Sequence, residues 1–87
     1  MAHYTDKVLF DEVWEREGLS KRDRSLITVA ALTALGKTDQ LRFHLGFART
    51  NGVTTAELTE AITHLAFYAG WPNGMGAMSV AKQVLTA

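Results

Sequence analysis

Eighty-seven residues, with nine Lys+Arg against nine Asp+Glu, make a small, formally neutral chain that is 47% hydrophobic and contains no cysteine. The charge balance argues against a dedicated nucleic-acid or anionic-membrane binder, and the missing thiols exclude disulfide staples, thiolate metal sites, redox pairs and cysteine nucleophiles. A chain of this size is expected to form one domain over residues 1–87, folding to roughly 5,100 Å² from an extended ~13,900 Å² and so burying about 63% of its surface. That fraction is too small to hide so many apolar side chains in one subunit, so self-association is expected.

The longest apolar stretch, Leu26–Leu35, covers ten residues, about half of what a bilayer-spanning helix needs. The first residues, Met1-Ala2-His3-Tyr4-Thr5-Asp6, have neither a basic nor an apolar signal-peptide region. A cytoplasmic protein that does not engage a membrane is the expectation.

In chain order, the first predicted helix runs from about Thr5 to Glu17, with Leu9, Phe10, Val13 and Trp14 on one face, and ends at Gly18. Ser20 then caps a second helix, Lys21 to Leu35, with Asp23 three residues on and Gly36 as a left-handed C-cap. Its Leu26–Leu35 stretch is apolar almost all round, which predicts burial on every side, partly by another subunit. Thr38 is positioned to cap a third helix reaching about Asn51 and stopped by Gly52.

Thr54-Thr55-Ala56-Glu57 is a capping box with Val53 and Leu58 as its hydrophobic staple, opening a fourth helix in which Leu58, Ala61, Ile62, Leu65, Ala66 and Ala69 recur at helical spacing. Gly70-Trp71-Pro72 breaks it, and Asn73 is placed to cap a fifth helix ending near Leu85. Gly74, Gly76, Ala77 and Ser79 let that last helix approach another backbone closely. No segment alternates with a period of two over strand length. The fold class is all-α, a small bundle of about five helices.

Reactive groups are few. His3 sits in a terminus expected to fray. His44 lies between Phe43 and Phe47, while Glu60, His64 and Tyr68 fall at i, i+4 and i+8 on one helix face. That stripe reads either as a carboxylate orienting an imidazole beside a phenol, or as a polar surface or interface stripe. His44 is equally readable as a hydrogen-bonded core or interface histidine. Metal binding is not expected, since the chain has neither an HExxH motif nor a His-x3-His pair. The spacing Ala48-x3-Gly52-Val53-x4-Leu58 suits a helix-turn-helix. However, the would-be recognition helix opens with Glu57 and Glu60 and offers no Lys or Arg to a polyanion, so DNA binding is set aside.

Charge is locally uneven. Residues 5–17 carry five acids and two bases, and residues 20–49 carry six bases and two acids. Two accounts stand level: an acidic first helix against a basic neighbour, or a pocket in which arginine grips a small carboxylate.

The run GLSKRDRSLITVAAL at 18–32 followed by Leu35-Gly36, then LRFHL at 41–45, NGVT at 51–54 with Glu57-Leu58, and ITHLAFYAGWP at 62–72 resemble the carboxymuconolactone decarboxylase family. The similarity covers roughly residues 8–85, with the motifs in order. The redox branch of that family carries Glu-x11-Cys-x2-Cys-x3-His. Anchored on His44, its positions fall here on Ser25, Lys37, Gln40 and His44, so a disulfide-based peroxidase is chemically impossible. The decarboxylase branch is the better match.

That resemblance implies an all-helical homo-oligomer, trimer or hexamer, that needs no metal or organic cofactor and removes CO₂ from a small carboxylated lactone in aromatic catabolism. It implies His44 as general acid, assisted by His64 and Glu60. One of Arg24 or Arg42 would orient the carboxylates, with Tyr68 as a donor and Trp71 and Phe47 as apolar wall. The chain lacks the additional N-terminal helical segment associated with authentic decarboxylases and reads Tyr-Ala-Gly-Trp-Pro where they tend to have a Tyr-Cys-Gly-Val-Pro-like turn. A non-catalytic oligomeric scaffold or a small-ligand-binding paralogue is the competing expectation.

Overall fold

A computed structural model describes residues 1–85. It contains five helical elements: an N-terminal π-helix, Tyr4–Val13, then α1 (Lys21–Leu35), α2 (Thr38–Thr50), α3 (Thr55–Ala69) and α4 (Trp71–Leu85). The last four form the body. α1 and α4 lie across a diagonal and each packs on both α2 and α3, which occupy opposite corners and scarcely touch.

Local chemistry sets most of the boundaries. The Ser20 hydroxyl accepts a bond from the Asp23 amide at 3.0 Å, and Gly36 takes φ 69°, where its own amide and that of Lys37 close the last turn of α1. At α3 both arms of the capping box form: the Glu57 amide donates to Thr54 Oγ1 at 3.1 Å and the Thr54 amide to Glu57 Oε1 at 2.9 Å. Val53 and Leu58 are both buried beneath it.

Three boundaries differ from the sequence expectation. Thr38 is the first helical residue of α2 and not its cap; Lys37 holds the cap position without a side-chain bond. α4 begins at Trp71, because a proline in the first turn forfeits only an amide that would have no partner there. Asn73 therefore lies inside α4, and its amide nitrogen donates to the carbonyls of Ala34 at 2.9 Å and Ala69 at 3.2 Å, tying the ends of α1 and α3 to the start of α4. The first helix is a π-helix that stops at Val13, where an α-helix to Glu17 was expected. Of its apolar face only Phe10 and Trp14 turn inward, since α2 offers rings to those two alone; Leu9 and Val13 remain exposed.

The core is Val29, Leu41, Leu45, Ala48, Val53, Leu58, Ile62, Ala77, Val80 and Ala81. α3 and α4 come closest at Gly74, where an added Cβ would overlap the Ala66 Cβ and sit 3.0 Å from its Cα. α1 is not enclosed on every side within this chain. Its buried stripe is Ser25, Val29 and Thr33, while Ile27 is 55% and Leu35 67% exposed. The chain exposes 5628 Å², about a tenth more than the scaling for a monomer of this mass gives.

Candidate functional site

All the candidate residues except Arg24 and Arg42 fall into three neighbourhoods of the chain. The first is a cluster of rings where the N-terminal segment crosses α2. His44 is half-buried there, its imidazole stacked on the Trp14 indole (6.2 Å between centroids, 17° between planes) and edge-on to Phe43 at 5.0 Å. Phe47 completes the cluster, 5.3 Å from Trp14 and 6.1 Å from His44. Burial among these rings disfavours the charged imidazolium and holds the His44 pKa below its ordinary value of 6.5. His44 Nδ1 is buried without a hydrogen-bond partner.

The second neighbourhood is an open groove of about 390 Å³ between α1 and α3, lined by Leu26, Glu57, Glu60, Ala61, His64 and Leu65. The helical register does bring Glu60 and His64 to one groove. Among the described residues, though, no hydrogen bond or ion pair joins them. The His64 ring instead lies against Tyr68, 4.8 Å between centroids and tilted by 34°. At the rim, Arg22 bonds to Glu57. The Thr54 backbone bond and that guanidinium hold the Glu57 carboxyl below its usual range. Glu57 thus anchors the helix start and offers the groove a neutralised carboxylate.

Trp71 belongs to neither. With Ile62, Thr63, Ala66, Gly74, Met75 and Met78 it lines an apolar cavity of about 150 Å³ between α3 and α4, and it meets Phe67 edge-on at 5.8 Å. Arg24 donates from Nη2 to the Arg16 carbonyl at 3.1 Å, holding the loop that precedes α1, and its Nε is buried without a partner. Arg42 is exposed on α2. His44 with Phe47, and Glu60 with His64 and Tyr68, are therefore brought together as two separate sets, carried by helices on opposite corners of the body.

Three contributors escaped the sequence reading. Trp14 appeared there only as part of an apolar face. The Arg22–Glu57 pair spans 35 positions, and the Asn51 amide donating to the buried Ser25 hydroxyl at 2.9 Å spans 26. Helical periodicity reports neighbours three or four residues apart and is silent on such pairs. Among the described residues no three His, Asp or Glu side chains gather as metal ligands, and no helix is long and apolar enough to cross a membrane.

The chain belongs to the carboxymuconolactone decarboxylase family, whose model matches residues 1–83, and its helical bundle carries the ring-buried histidine on α2 and the groove of Glu60 and His64 on α3. It is 45% identical over 82 residues to the 4-carboxymuconolactone decarboxylase of Acinetobacter baylyi, covering 94% of this chain and 61% of that one. It is 37% identical over 73 residues to the nitrosuccinic acid decarboxylase npaB of Metarhizium robertsii (84% of this chain, 51% of that one). An uncharacterized 15.0 kDa protein of Paracoccus denitrificans is 32% identical over 77 residues, with 86% of this chain and 58% of that one covered. The chain thus spans about three-fifths or less of the length of these relatives.

Proposed function

We propose that the chain is a cofactor-independent decarboxylase of a small carboxylated lactone, working as a homo-oligomer in aromatic catabolism. The observation that carries this reading is the 45% identity over nearly the whole chain to a 4-carboxymuconolactone decarboxylase. A second decarboxylase among the relatives, acting on nitrosuccinic acid, supports loss of CO₂ as the reaction type.

In this reaction the bond between the lactone ring and its carboxylate breaks, CO₂ leaves, and the electron pair passes into the lactone carbonyl as an enolate. A proton then adds to carbon. His44 Nε2 supplies that proton and regains it from water, with His64 and Glu60 assisting the transfer. Arg24 or Arg42 orients the carboxylates and Tyr68 donates to the developing oxyanion, while Phe47 and Trp71 keep water from the departing group. Because these groups occupy separate neighbourhoods in one subunit, the reading calls for a site completed between copies of the chain.

The test is direct. Purified protein incubated with 4-carboxymuconolactone is expected to remove its ultraviolet signature, and His44→Ala is expected to abolish most of that turnover. Sedimentation should find an oligomer under the same conditions. No turnover by wild type, or unchanged turnover by His44→Ala, would sink the assignment. The dispersal of the candidate residues within the subunit favours a second reading, a non-catalytic oligomeric scaffold or ligand-binding paralogue. It predicts an oligomer without turnover.

A further inference from the structure

The N-terminal segment is held to the body in an unusual way. Its π-helix buries none of its ten residues, and such i→i+5 turns are rarely sustained beyond a single turn because their geometry is poorer than that of an α-helix. Trp14, at its C-terminal end, is by contrast only 7% exposed. Phe10, one turn earlier, meets Phe47 edge-on at 6.1 Å. Beyond Trp14 the chain is pinned by the Glu15–Lys21 ion pair at 2.9 Å and by Arg24 on the Arg16 carbonyl. An exposed ion pair contributes little beside a buried indole, so Trp14 is the main attachment of this strap.

The same indole lies on His44. A histidine ring is usually oriented by a hydrogen bond from one nitrogen. Here Nδ1 has no partner, and what borders the imidazole is a near-parallel indole with the Phe43 and Phe47 rings at its edges. We propose that Trp14 is the positioning residue of His44: brought in by the strap, its indole fixes the imidazole plane and keeps water from Nδ1, directing proton exchange to Nε2. Its catalytic meaning rests on the acid role proposed for His44, whereas the contact itself is measurable without turnover.

The experiment is an NMR titration of the His44 imidazole in the full chain, for wild type, Trp14→Phe and Trp14→Ala. Removing the indole in Trp14→Ala rehydrates the ring, so the titration should move up toward the ordinary 6.5. Trp14→Phe, which keeps an aromatic face, should leave it low. With the lactone as substrate, Trp14→Ala should lower kcat about tenfold or more while KM changes less than about twofold, and Trp14→Phe should restore most of the loss. If Trp14→Ala does not fold, Trp14→Leu replaces it and should shift the titration in the same direction. An unmoved titration in the folded variant overturns the proposal, even with active enzyme. A moved titration in a protein that turns over no lactone leaves the positioning intact and removes the decarboxylase reading.

Discussion

Two histidines twenty positions apart show how differently one residue type is treated by the two sides of this bundle. His44 is wedged among Trp14, Phe43 and Phe47, with one nitrogen sealed from water. His64 is exposed on α3, at the edge of a wide groove, with a phenol as its nearest ring. A buried imidazole has its proton affinity set by the protein, and here the surrounding rings disfavour its charged form. An exposed one has one side of its surroundings open to solvent. The α2 side is thus organised within the chain, and the α3 side is left open.

The largest expected effect separates the two directly. His44→Ala should lower turnover of the lactone by about 10²–10⁴-fold, the range for losing a general acid, while His64→Ala should cost less, about tenfold, in the same steady-state assay. Equal losses would make the two histidines one unit and erase the contrast.

Beneath His44, Leu45 is fully buried in the core, and Leu45→Ala should destabilise the fold by about 2–5 kcal/mol in urea melts. On the other side, Gly74→Ala must push α4 away from Ala66, at a cost of about 1–3 kcal/mol. Its NMR shift changes should centre on α3 and α4 and spare the His44 ring. Changes that reach Trp14 would show the two sides to be mechanically coupled. Thr54→Ala removes one arm of the capping box and should cost about 1 kcal/mol in the same melts, fraying the start of α3 beside the groove.

The smallest effect is a pH dependence. The folded His44 pKa lies below the ordinary 6.5, so between the two values the unfolded chain binds a proton that the folded one does not. The stability is therefore fully present above about pH 6.5 and is lost as the pH falls through the folded value. Melts at pH 7.5 and 5 should show wild type losing more stability than His44→Gln. An equal loss would mean that the ring cluster does not exclude water.

Much of this molecule is legible in its sequence. The Ser20 cap, the left-handed Gly36, the Thr54–Glu57 box and the staple of Val53 on Leu58 all involve residues within five positions of one another, where chain geometry leaves few alternatives. The sharing of a groove by Glu60 and His64 follows in the same way from a turn of helix. Asn73 shows where such reasoning stops. Its polar side chain beside a proline reads as a cap, yet the Ala34 carbonyl, 39 positions away, is one of its partners.

Local sequence by itself determined that this chain is helical, where most of its helices start and stop, that no thiol chemistry is open to it, and which family it resembles. Those properties depend on near neighbours, on composition or on motif order. Only the tertiary structure decided that Trp14 lies on His44, that Arg24 holds the loop before α1, and that the two histidines stand on opposite corners. These relations join segments eight to thirty positions apart, beyond a single helical turn, so they depend on how the helices and loops pack, and periodicity within one helix carries no record of its neighbour.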